Sequence, residues 1–167
     1  MIPQLLFGVS IALGFLVWSI VTARYIWPAL RARSGPERFR PILLLHSFRY
    51  IGLAFLVPGV VAPELPAAFA LPAAYGDLVA SVLALGALAA LQTRIRSIML
   101  WLFNLWGTAD LLYALYQGAI GTSLVPGLLG ATYFLPIVVV PLLLITHGLV
   151  FRMLLLPDSG APAPRAA

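Results

Sequence analysis

The chain has 167 residues, of which 62% are hydrophobic and 9% charged, with ten basic against five acidic side chains and a net charge of +5. A soluble domain carries about a quarter charged residues, so a soluble enzyme is excluded. With no Cys, so are disulfides, thiolate metal sites and thiol nucleophiles.

The apolar residues fall in long blocks, and crossing about 30 Å of hydrocarbon takes about 20 of them in a helix, because lipid offers no partner to an unpaired backbone N–H or C=O. The sequence predicts an all-α, polytopic bundle of five transmembrane helices forming one membrane domain over residues 1–156. The first span covers 5–23 and ends at Arg24, Tyr25 and Trp27, side chains suited to the headgroup layer. It lacks the positive start and the cleavage site of a signal peptide, and reads as a retained helix. The loop to Arg40 carries a turn at Ser34-Gly35-Pro36-Glu37.

The second span, 41–61, contains His46, Arg49 and Tyr50, which share a face at α-helical spacing. The segment VAPELPAAFALPAA, with three Pro, is expected to lie along the interface before the third span, 74–92. That span has an uncharged core of only 78–91, which puts Asp77 near one interface. A few residues then lead to the fourth span, 98–117, so these two form an antiparallel hairpin. The fourth span carries Asn104 and, near the midplane, Asp110, with Trp106, Asp110, Tyr113 and Gln117 in one stripe. A Gly-rich, uncharged segment, 118–130, suits turns or a partly buried cover. The fifth span, 131–154, carries Pro136, Pro141 and His147, and each Pro removes a backbone hydrogen bond. The tail, 157–167, is rich in Pro and Ala and is expected to be disordered and cytoplasmic.

All ten basic residues are Arg, and nine of them fall in alternate loops or at the C-terminal end, whereas the other loops hold only Glu64. The positive-inside rule then places the N-terminus outside and the C-terminus in the cytoplasm, in a plasma membrane of the bacterial inner-membrane kind. Basic residues spread in this way mark topology and contact with anionic membrane lipids, not nucleic acid. Trp27, Trp101, Tyr75 and Tyr133 read as interfacial belts.

An ionisable group inside a span costs about 2.5–3.5 kcal/mol on insertion scales and faces the bundle interior with a partner. His46, Asn104 and His147 fall at one level in the cytoplasmic half, and Arg49 is long enough to reach Asp110. One reading is a purely structural layer that fixes packing in a subunit or assembly factor of a membrane complex. A second is a pocket in the cytoplasmic half for a lipidic or amphipathic small molecule, formed by His46, Arg49, Tyr50, Asn104, Asp110, Tyr113 and His147, with a His or Asp110 able to move a proton. A third is a single haem b ligated by His46 and His147. A fourth is a proton or ion relay in a small transporter.

The stretch FNLWGTADLLYALYQG, followed by ATYFLPIVVVPLLLITHGLVFR, is similar in layout to the last two spans of the sterol-isomerase and sigma-receptor-like membrane fold. APELPAAFALP has a counterpart there as an apolar, Pro-bearing outer loop. The likeness covers spans two to five and implies a lipid-like ligand in the bundle. Of that family's acid pair only Asp110 has a candidate near mid-membrane, so no functional residue carries over.

Overall fold

A chain this apolar satisfies its backbone internally by winding into helices, and the described residues of the computed structural model, 2–122 and 124–156, are helical almost throughout. The tail expected to be disordered lies outside the described residues. Helix α1 runs unbroken over Ile2–Arg31, thirty residues, with a π-helical turn at Thr22–Ile26. Helix α2 is a composite: an α-helix over Arg40–Ser47 continues without a break as a 3-10 helix over Phe48–Leu56. It stops at Val57, extended as a residue before proline prefers to be. Helices α3, Ala67–Ala89, α4, Arg96–Gly121, and α5, Leu135–Leu155, complete the bundle.

Among the described residues α1, α3, α4 and α5 are long and apolar enough to cross a membrane. The stretch 41–61, expected as one span, is instead two helical forms ending at Leu56. The third element also differs: Pro66 caps α3, which starts at Ala67 and carries Pro72 in its interior. The Pro-rich segment expected at the interface is therefore largely the first turns of a spanning helix.

Helices α3 and α4 pack as the expected antiparallel hairpin, with Trp106 donating its indole N–H to the Gly76 carbonyl at 3.2 Å. Helix α2 lies along α3, where Ser81 Oγ donates to the Ser47 carbonyl at 2.5 Å. Helix α1 buries no residue of Ile2–Val21 and rides on the outside along α5. The two run parallel. Phe7 meets Tyr133 at 5.5 Å, Trp18 Nε1 donates to the Val138 carbonyl at 2.9 Å, and Arg152 lies 4.7 Å over the Trp27 ring. Gly14 makes this approach possible, because a Cβ there would run into the Ile137 carbonyl.

Two apolar clusters divide the interior. One, at the end bearing the Arg-rich loops, gathers Leu43, Leu91, Leu100, Phe103 and Val150. At that end Glu37 accepts from Arg40 and from Gln92, which ties the two loops together. The Arg40 hydrogen bond holds the Glu37 carboxyl below its ordinary range. The other cluster joins Phe55, Phe69, Ala74, Leu124 and Leu129 at the opposite end. There the segment before α5 folds over as a cover, with Ala131 N–H on Val60 O at 2.9 Å and Ala62 N–H on Leu128 O at 3.0 Å. Gly130, at φ +53°, makes the turn that brings this backbone against Val60.

Candidate functional site

Between the two apolar clusters lies a polar layer built around Arg49. In a 3-10 helix residues three apart eclipse one another, and Arg49, Gly52 and Phe55 form the buried face of this part of α2. Tyr50 is turned about a third of a revolution away and is exposed. Its expected place beside Arg49 assumed α-helical spacing, which ends at Ser47.

The Arg49 side chain is buried and every nitrogen of its guanidinium is engaged. Nε donates to Asp77 Oδ1 at 2.7 Å and Nη2 to Asp110 Oδ2 at 2.6 Å. Nη1 donates to the Gly107 carbonyl at 3.2 Å and faces His147 Nε2 at 3.4 Å. The fork of donors thus joins α2 to α3, α4 and α5 at one point, with separate nitrogens serving separate partners as the rigid guanidinium allows. Asp110 is reached as its depth suggested. Asp77 is the residue that sequence reasoning missed: with α3 starting at Ala67, it stands ten residues, about 15 Å, inside the helix. Pro66 immediately before two Ala was the available sign of an earlier helix start.

Three glycines make room for these groups. A Cβ at Gly52 would strike the Asp77 carboxylate, one at Gly76 the Asp110 carboxylate, and one at Gly107 both His147 and Arg49.

On the side of the Arg-rich loops the layer continues as a closed cluster. His46, Asn104 and His147 are at most 1% exposed. His147 Nδ1 bonds Asn104 Oδ1 at 2.7 Å and His46 Nε2 bonds Thr146 Oγ1 at 2.9 Å. Because arginine can only donate, Nε2 of His147 accepts and its Nδ1–H donates to Asn104, which describes a neutral ring. The two imidazoles touch edge to face with centroids 4.3 Å apart, and Phe103 packs on both at 5.1 Å. A haem would need its iron and macrocycle between them, each ring giving a nitrogen to the metal. No such slot exists and three of the four ring nitrogens face protein partners, so this pair does not fit a haem.

On the opposite side the layer opens. A cavity of about 50 Å³, partly open to the outside, is walled by Phe55, Phe69, Leu111, Leu115, Leu135 and Val139. Its polar end is Arg49 with Asp77 and Asp110. At the cavity the first turns of α5, a π-helical segment at Leu135–Val139 that contains Pro136 and precedes Pro141, pack along α1. This placement differs from the expected pocket. The open space lies beyond Arg49, away from the Arg-rich loops, and its chemistry is carboxylate. The two His and Asn104 are sealed off from it, and Tyr50 and Tyr113 point outward. Among the described residues no group of three or more His, Asp or Glu is placed to hold a metal ion.

Comparison with curated proteins and with solved structures returns no match, so the resemblance in layout noted from the sequence rests on its quoted segments alone. The family model described as a domain of unknown function (DUF8737) matches residues 6–155, which takes in all five helices and the whole polar layer but for the first residues of α1, and the chain belongs to that family.

Proposed function

We propose that this chain crosses the membrane five times, N-terminus outside and C-terminus in the cytoplasm, and holds a lipidic or amphipathic small molecule in the cavity that ends on Arg49, Asp77 and Asp110. Support for the fifth crossing comes from length and direction. Eight α-helical residues at about 1.5 Å and nine 3-10 residues at about 2.0 Å give α2 roughly 30 Å, a bilayer's thickness. First and last helices that run parallel require an odd number of crossings, and four helices already qualify without α2.

A Cys-free chain makes the topology directly testable by single Cys substitutions and a membrane-impermeant maleimide on intact cells. Glu64→Cys is expected to label from outside, and Ser34→Cys and Thr93→Cys only after permeabilisation. The reverse pattern overturns the orientation, and Ser34→Cys and Glu64→Cys labelling from one side overturns the crossing by α2.

The observation that carries the binding role is the make-up of the cavity: its walls are aliphatic and aromatic, and its polar groups converge at one end. Each guanidinium nitrogen of Arg49 already has a partner, and the carboxylates, which have acceptor sites to spare, are what a ligand's donor end meets. Such a ligand is an apolar body with a hydrogen-bond-donating end. Lipid extraction and mass spectrometry of detergent-purified protein are expected to yield an enriched species, reduced at least about tenfold when Ala114→Phe fills the cavity, which corresponds to about 1.4 kcal/mol of lost binding. Recovery of the same species from wild type and Ala114→Phe overturns the assignment to this cavity.

A further inference from the structure

The stripe of Trp106, Asp110 and Tyr113 on α4 belongs to the inner cavity only through Asp110. Its aromatic members face the other way, into a second concavity. Together with Tyr75, Gly76 and Val79 of α3 they line an open groove of about 460 Å³ on the outside of the hairpin. Tyr75, expected in an interfacial belt, stands eight residues into α3 and forms one wall. Two of the three rings are pinned: the Trp106 indole is held by the Gly76 carbonyl at 3.2 Å, and the Tyr113 hydroxyl accepts from Gln117 Nε2 at 2.7 Å.

Asp110 links the groove to the polar layer. Its side chain is nine-tenths buried, with Oδ2 on Arg49 and Oδ1 turned toward Gly76, where no Cβ stands between the carboxylate and the groove. Among the described residues no donor is paired with Oδ1. One guanidinium faces two carboxylates and the neighbouring His147 is neutral, so with both carboxylates ionised the layer carries a net negative charge. In a low-dielectric surrounding a net negative charge attracts a compensating cation strongly. Arg49 cannot supply more, since all its nitrogens are taken.

We infer that this groove binds a membrane-dissolved amphiphile carrying a protonated amine, with the ammonium on Asp110 Oδ1 and the faces of Trp106, Tyr113 and Tyr75 around it. An ammonium is favoured twice, by ion pairing with the carboxylate and by the aromatic faces. The amine is a free one and not a phospholipid headgroup. Asp110 lies fourteen residues from the Arg-bearing start of α4 and eleven from its other end, about 21 Å and about 16 Å, whereas a phospholipid ammonium stays in the headgroup layer. The groove is a different surface from the inner cavity, with Asp110 the residue common to both, and the amine meets that carboxylate from the groove side.

Trp106 provides the readout. In a chain with Trp18, Trp27 and Trp101 replaced by Phe, reconstituted in phosphatidylcholine vesicles, its fluorescence is titrated with p-bromophenylbutylamine and with the alcohol and carboxylic acid of the same skeleton. The amine is expected to quench saturably, with a half-point at least about tenfold below that of the alcohol, and the acid not to saturate. Asp110→Asn is expected to remove the advantage of the amine over the alcohol. Where Asp110→Asn does not fold, Val79→Phe, which fills the groove and keeps both carboxylates of the layer, is expected to weaken amine quenching by a similar factor. Equal quenching by amine and alcohol overturns the inference, and means that a proton on one of the carboxylates balances the layer. Amine quenching unchanged in Val79→Phe overturns it as well. Neither result bears on the species recovered from the inner cavity, so the two proposals fail separately.

Discussion

Replacing Arg49 by Met is expected to be the most damaging single change in this chain, with a loss of about 3–5 kcal/mol, the cost of breaking a buried ion pair from one side. Methionine keeps most of the volume and removes the charge, so the effect isolates electrostatics. It leaves Asp77 and Asp110 facing each other without the guanidinium that now separates them, and it removes the side-chain donor to the Gly107 carbonyl. The measurement is thermal unfolding of the purified protein in detergent, or the yield of monodisperse protein where the variant does not survive purification. Arg49→Lys is expected to fall between, because one ammonium cannot present the separate donors that reach α3, α4 and α5 together. The informative variant is the neutral triple, Arg49→Met with Asp77→Asn and Asp110→Asn. A buried ionic group replaced as a whole by neutral side chains is often tolerated, and the triple is expected to recover most of the stability while losing the cavity's polar end. A triple as unstable as Arg49→Met alone would show that the shape of the arginine, and not its charge, holds the helices together.

How far the sequence discloses this arrangement depends on how local the cause is. Membrane class, the α3–α4 hairpin and the approach of Arg49 to Asp110 follow from composition, a short link and the scarcity of charges, and these are legible residue by residue. The shared level of His46, Asn104 and His147 is legible too, because depth in a helix follows from counting. Asp77 was misplaced because Pro66 and Pro72 read as loop, whereas in a bundle a helix keeps an interior proline when its neighbours satisfy the freed backbone. Tyr50 was misplaced because nothing in FRYIGLAFL announces that the period changes from 3.6 to 3 after Ser47. The switch brings Arg49, Gly52 and Phe55 onto one line against α3, a tertiary preference that overrides local propensity. The cavity is the least local feature of all. Pro136 and Pro141 announce an interrupted helix, but its lean toward α1 is set by Gly14 and Trp18, more than a hundred residues away in sequence.

Gly107→Ala is expected to be the next most disruptive change, through a single methyl group. A Cβ at this position would stand 2.5 Å from His147 Nε2 and 2.8 Å from Arg49 Nη1, closer than side-chain atoms tolerate. Neither neighbour can yield cheaply: His147 is tied to Asn104 and packed between Phe103 and His46, and Arg49 is fixed by two carboxylates. Overpacking of this kind costs about 1–3 kcal/mol, measured as a fall in thermal stability in detergent. Gly148→Ala is the internal control on α5, since nothing lies within 4 Å of its Cβ position. It is expected to be neutral or to stabilise by up to about 1 kcal/mol through helix propensity. Pairing Gly107→Ala with Arg49→Met separates steric from electrostatic coupling. The free end of methionine can move aside where the guanidinium cannot, so the penalty of Gly107→Ala is expected to shrink in the Arg49→Met background, giving a coupling of about 0.5–3 kcal/mol, the range for residues in contact. Additive losses would mean that the methyl group is resisted by His147 alone, and that Arg49 is free to shift within the layer. Coupled losses would make the absent side chain at Gly107 as much a part of the Arg49 site as the two carboxylates, because the arginine's Nη1 takes the very space that any other residue's Cβ would fill.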